Sequence, residues 1–306
     1  MHTKKIGKNL YQIELDTGGI HQLICSYIIS GSNPMIIESG PTNSIPNLLM
    51  GIKELEIKPE DIQYIAVTHI HLDHGGGAGT LLKHLSNAKV LVHPRGVQHL
   101  TDPERLWSSS QSVLDYVSEV FGKPEPIPKD RVIPITDGSI ALDENGELKI
   151  IETIGHASHH LSFKETFNGG VFPGDAAGTY MPKYKVVVPT TPPPFILEAA
   201  LASLDKLITL NPTALYFTHF GKAEDAVNRL KAYKEQLKLW VRIVEDGVND
   251  KLSFEEIQDS IINQDPIMTI VAPYVKDHEI YKKTVLENCI KGIIEYVEQK
   301  YTKNQS

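Results

Sequence analysis

Thr68-His69-Ile70-His71-Leu72-Asp73-His74-Gly75-Gly76 places four metal-ligand side chains within six residues. Imidazole and carboxylate are the donors that zinc, iron and manganese accept. The string follows the apolar run Tyr64-Ile65-Ala66-Val67, which reads as a buried strand that stops at a loop. Side chains at i and i+2 of an extended segment point the same way, so His69 and His71 can grip one ion together. The backbone then turns and presents Asp73 and His74 to a second position. This is not the helical His-Glu-x-x-His device, which needs i and i+4 on one helix face.

Ligand-type residues recur where other strands should end: His156 after residues 148–154, Asp175 after Val171-Phe172, and His219 after Ala214-Leu215-Tyr216-Phe217. Loops at one sheet edge converge in space, and a site drawn from separated strands needs that layout. His69, His71 and His156 form a three-histidine set that leaves an open position. Asp73, His74 and His219 form a second set, with Asp175 as the bridge between two ions.

The elements that must position these residues can be read in order. Two short strands over 9–15 and 22–29 flank the Asp16-Thr17-Gly18-Gly19 turn, and Met35-Ile36-Ile37-Glu38 is a third. Ile45, Leu48, Leu49 and Ile52 are spaced for a helix over 46–55, and another opens at about 78 behind Gly75-Gly76-Gly77. A strand at 89–93 precedes one helix over 103–121. Strands near 131–135, 138–142 and 148–154 follow, with a hairpin of 161–163 and 170–172. The stretch 181–194 is proline-rich and irregular, and reads as a substrate wall or lid, or as a plain linker. Leu197, Leu201, Leu204 and Ile208 predict a helix; beyond His219 the pattern is all helical, over roughly 222–246, from the capping box at Ser253 and Glu256, and over 277–300. The stripes on these helices suit core packing, or the face of a homodimer.

A chain of 306 residues suits one large domain or a domain with a subdomain, and buries a sizeable core without staples. Apolar content of 41% and charged content of 22% are those of an ordinary globular protein. Cys25 and Cys289 lie far apart and suggest neither a disulfide framework nor thiolate metal binding. No apolar segment near the start reads as a signal peptide and no run reaches about 18 apolar residues, so the expectation is a cytoplasmic protein without a membrane span. A formal charge of −8 argues against a general nucleic-acid binder, which carries a basic field.

The His-x-His-x-Asp-His-x-Gly-Gly string, Gly155-His156-Ala157-Ser158-His159-His160, Gly174-Asp175 and His219 together resemble the metallo-β-lactamase superfamily, over about residues 8 to 220. The resemblance implies an α/β (α+β) fold, a four-layer αββα sandwich with the dimetal site at one edge of its two sheets. It implies a catalytic domain over 1–220 and a helical C-terminal extension over 221–306 packed on it. It implies two zinc ions per chain, with iron or manganese as alternatives, a bridging hydroxide as nucleophile, and a small ester, thioester or lactone as substrate. Glu38 matches the family's acidic position after an early strand and His160 its second histidine, both as residues that orient ligands, with His159 in place of the usual glycine. Asp175 in place of a cysteine ligand, and the presence of His74, separate the chain from the antibiotic-hydrolysing branch that uses cysteine. His71 separates it from the flavodiiron branch. The lactonase tyrosine, three residues after the bridging aspartate, is Gly178 here. Within the resemblance Asp73 takes the catalytic role of orienting the nucleophile and carrying a proton, and Tyr180 (or Tyr184) that of stabilising an oxyanion. An RNA phosphodiesterase and a mononuclear iron oxygenase similar to the persulfide dioxygenases are the alternatives within the superfamily.

Overall fold

β-branched and apolar runs build strands into the chain's first half, with short helices between them. The computed structural model describes residues 2–304. Its chain forms two compact units interleaved along the sequence. The first comprises the chain up to Glu152 together with His159–Gly174 and Pro212–Glu224; the second comprises Thr153–Ser158, Asp175–Asn211 and the chain from Asp225 onward.

The first unit is built on two sheets. Strands β1 (Thr3–Gly7), β2 (Leu10–Glu14), β3 (Cys25–Ile29), β4 (Met35–Ile37), β5 (Tyr64–Ala66), β6 (Lys89–Val92) and β7 (Val132–Pro134) lie in sequence order. Neighbours from β1 to β4 are antiparallel, and those from β4 to β7 are parallel. The second sheet combines β8 (Gly138–Asp143), β9 (Gly146–Glu152), β10 (Leu161–Glu165), β11 (Val171–Phe172), and two later strands at Leu215–Phe217 and Gly221–Ala223. Cys25, Tyr27 and Ile29 of one sheet and Leu148, Ile150, Phe163, Phe172 and Tyr216 of the other share one buried core. Tyr27 and Phe172 meet edge to face at 5.1 Å, and the Tyr27 hydroxyl donates to Phe217 O at 2.6 Å, so this buried polar group is satisfied.

All five residues of β3 are buried, because its second face is covered as well. Helix α1 (Ile45–Glu54) is one of the covering elements: Gly51 lies against Ile13 of β2. Short helices α2 (Ala78–Leu82), α3 (Val97–Thr101), α4 (Glu104–Leu114) and α5 (Tyr116–Phe121) complete this unit. The expected single helix over 103–121 is two, because Asp115 takes a left-handed backbone (φ 54) that no α-helix continues through.

In the second unit, β12 (Thr179–Met181) and β13 (Val186–Val188) pair antiparallel, so part of the stretch expected to be irregular is a hairpin. Helix α6 (Leu197–Thr209) follows it; then, after β14 (Leu215–Phe217) and β15 (Gly221–Ala223) of the first unit, come α7 (Ala226–Asn249), α8 (Phe254–Gln264) and α9 (Pro266–Asp277). Asp265 divides α8 from α9: it caps Ile267 N at 2.8 Å and precedes a proline at the first helical position. The helix expected over 277–300 is a short α10 (Glu279–Tyr281), a π-helical turn (Lys282–Asn288) and α11 (Cys289–Asn304).

Candidate metal centre

The first unit brings Glu38, Thr68, His69, His71, Asp73, His74, His160 and His219 to the ends of β4, β5 and β14 and the start of β10. Glu38 follows β4 in a left-handed conformation (φ 65), fully buried, with its N–H bonded to Ala66 O. The Thr68 hydroxyl donates to Glu38 Oε1 at 2.5 Å and the Thr68 N–H to Oε2 at 3.2 Å. His74 Nδ1–H donates to Oε1 at 3.1 Å. Having given its proton to the carboxylate, Thr68 Oγ1 accepts from His69 Nδ1 at 3.0 Å. His219 Nδ1–H donates to Leu23 O at 3.0 Å.

Carbonyls and carboxylates only accept, so each contact fixes a tautomer. His69, His74 and His219 each carry the proton on Nδ1 and turn an Nε2 lone pair outward. Metal-ligating histidines are held this way, with the second nitrogen bonded to a carbonyl or carboxylate. His74 Nε2 and His219 Nε2 stand 3.2 Å apart; Asp73 Oδ2 is 3.3 Å from the second and 3.9 Å from the first. Four-coordinate ligation at bonds of about 2.0–2.1 Å sets donor atoms roughly 3.3 Å apart, so this triangle fits a zinc-sized ion. His69 Nε2 faces His71 Nδ1 at 2.9 Å. His160, fully buried, stacks on the His69 ring at 4.9 Å, and His159 lies edge-on to His71 at 5.9 Å.

The second unit carries the other expected ligands. His156 Nδ1–H donates to Thr190 O at 2.9 Å, which again puts the ring's lone pair on Nε2, here 3.6 Å from Asp175 Oδ2. Thr190 Oγ1 donates to Asp175 O at 2.8 Å. Tyr180, in β12, is buried with the Arg229 guanidinium 5.1 Å above its ring. Tyr184, at the hairpin tip, packs 6.0 Å from Tyr274.

The donor set is imidazole and carboxylate. Burial pushes the thiols of Cys25 and Cys289 up to about 12, and Cys25 Sγ donates to Phe217 O, so neither is a thiolate donor. His93 stands apart from the constellation: its Nδ1 accepts from Arg95 N and its Nε2–H donates to Glu152. Thr68, Leu23 and Thr190, which hold ring nitrogens in place, carry no pattern that sequence reasoning could pick out. Thr68 alone adjoins the histidine string.

Two sheets with this constellation at their strand ends define the metallo-β-lactamase fold, and the profile of the metallo-β-lactamase superfamily matches residues 24–219. The chain belongs to that superfamily, whose members typically bind metal ions and are mostly metal-dependent hydrolases. It is 30% identical over 257 residues to the metallo-β-lactamase fold-containing protein ST1585 of Sulfurisphaera tokodaii, covering 82% of this chain and 87% of that one. The crystal structure of ST1585 matches with a TM-score of 0.70 at 28% identity, over 95% of this chain and all of that one. The metallo-β-lactamase family protein TTHA1429 of Thermus thermophilus shares the fold, with a TM-score of 0.65 at 19% identity over 91% of this chain and 89% of that one. Among the described residues no helix is long and apolar enough to cross a membrane.

Proposed function

We propose that the chain is a dinuclear-metal hydrolase of a small ester, thioester or lactone. His69, His71 and His156 would hold one ion and Asp73, His74 and His219 the other, with Asp175 shared. The observation that carries the reading is the set of four imidazoles, each with Nδ1–H spent on a protein acceptor and Nε2 left as a donor. Zinc ions, when bound, bring a water's pKa toward neutrality and polarise a carbonyl oxygen.

The chain's own residues supply the rest. Asp73 is the least buried carboxylate of the group, with 18% of its side chain exposed. It accepts a hydrogen bond from the attacking water and carries the released proton to the leaving group. Glu38, one hydrogen bond behind His74, keeps that ring oriented while the substrate turns over. Tyr180 donates its hydroxyl to the developing oxyanion.

The RNA reading requires a basic groove, and several of its candidate cations are engaged elsewhere. Lys123 pairs with Glu104 at 2.7 Å, the Arg131 guanidinium binds the carbonyls of Leu82, Leu85 and Ala88, and Lys183 sits 5.3 Å from the Tyr184 ring. The test is elemental analysis of the purified protein, paired with hydrolysis assays on thioester, lactone and phosphodiester probes. The expected result is two zinc ions per chain and carbonyl-ester turnover that is lost in Asp73→Ala and reduced about 10- to 100-fold in kcat in Tyr180→Phe. One iron per chain with oxygen consumption would overturn it.

A further inference from the structure

Thr190 and Thr191 connect two of the expected ligands to the C-terminal helix. On one side, Thr190 O takes the His156 Nδ1–H and Thr190 Oγ1 bonds Asp175 O. On the other, Thr191, fully buried, is bound twice to the first residue of α11: its N–H donates to Cys289 Sγ at 3.1 Å and its hydroxyl to Cys289 O at 3.0 Å. Cys289 Sγ is itself directed at Thr284 O, 3.0 Å away in the π-helical turn. One helical turn further on, a Cβ on Gly292 would stand 1.9 Å from Thr191 O, so only glycine lets the segment lie this close to the helix.

We propose that α11 is a positioning element for the metal centre, acting through Thr191 and Thr190 on His156 and Asp175. The proposal rests on the hydrolase reading for the identity of the ligands. Thr191, Cys289 and Gly292 are positioning residues that touch neither substrate nor ion. The π-helical turn sets the Cys289 carbonyl and thiol against the Thr190-Thr191 peptide, and the position of that peptide selects the His156 tautomer.

Two measurements on the full chain test it. In metal-free protein, long-range proton–nitrogen NMR of the imidazoles reads each tautomer. The wild type should hold His156 with its proton on Nδ1. Thr191→Val, isosteric but without the hydroxyl, should give mixed tautomers at His156 while His74 and His219 stay unchanged, and Thr191→Ser should restore the wild-type signal. With zinc added, chelator titration should strip the first ion from Thr191→Val at about tenfold lower chelator strength than from the wild type or Thr191→Ser. Cys289→Ala, which withdraws the thiol from both Thr191 N–H and Thr284 O while keeping the Cys289 carbonyl, gives the same two readings should Thr191→Val not fold. A folded Thr191→Val or Cys289→Ala with the wild-type His156 tautomer and wild-type zinc retention would overturn the proposal. A wild type that binds no zinc would overturn the hydrolase reading instead, and the tautomer at His156 would still decide the tether.

Discussion

Glu38 receives the Thr68 hydroxyl, the Thr68 amide and the His74 ring within one carboxylate, and each of these is a donor. A glutamine there keeps one acceptor oxygen and turns an NH₂ toward donors, so Glu38→Gln should weaken metal binding by about 10- to 100-fold while the fold persists, measured by chelator competition. Gly174 is constrained differently. Its backbone is left-handed (φ 51), and a Cβ would lie 2.7 Å from both His160 Nε2 and Thr68. Gly174→Ala should therefore cost about 1–3 kcal/mol in a urea titration, and it should disturb the Thr68–Glu38 bond as well.

At the level of elements, the α8–α9 junction holds a buried carboxylate of its own. Asp265, fully buried, accepts from Gln236 Nε2 and Trp240 Nε1 of α7, both at 2.7 Å, while capping α9. Asp265→Ala leaves two buried donors and a helix end unsatisfied, and should cost about 2–4 kcal/mol by denaturant midpoint. His278, at the α9–α10 junction, has its pKa lowered from 6.5 by burial, so the folded protein favours the neutral ring. As pH falls through 6.5 the unfolded chain takes up a proton first, so stability falls with pH until the folded-state pKa is passed. Unfolding free energy should decline between about pH 7 and 5, and His278→Gln should reduce that decline. The expected ligands are legible in the sequence because they sit in short strings at the ends of apolar runs, and such strings survive without knowledge of the fold. The acceptors behind them are not: Leu23 lies 196 residues from His219, and Thr190 lies 34 from His156. Among the elements, β1 escapes a sequence reading because Thr3-Lys4-Lys5-Ile6-Gly7 carries two lysines and no apolar alternation. The hairpin β12–β13 escapes it because Pro182, Pro189 and the run Pro192-Pro193-Pro194 crowd its short strands and read as irregular chain. The division at Asp265-Pro266 has a readable signal, a capping aspartate before a proline.

At the scale of the whole molecule, the chain leaves one compact unit for the other several times between Glu152 and Asp225. The segments Thr153–Ser158 and Asp175–Asn211 belong with the helices that come last. A chain ended after Ala223 lacks α7 to α11, so α6 and β13 lose α7, the helix both pack against in the second unit. Such a chain should elute as aggregate in size-exclusion chromatography and be degraded by trace protease under conditions where the full chain survives.

The bonds from Thr191 to Cys289 also set an order in time. A chain made on the ribosome has all seven expected ligands in hand once His219 has been added, but the residue that secures Thr191 is made much later, at the head of α11. If α11 positions His156 as proposed, that ring takes up its fixed protonation pattern only after α11 has cleared the exit tunnel. A nascent chain would then complete its two expected ligand sets at different times, the one with His74 and His219, held by Glu38 and Leu23, before the one with His156.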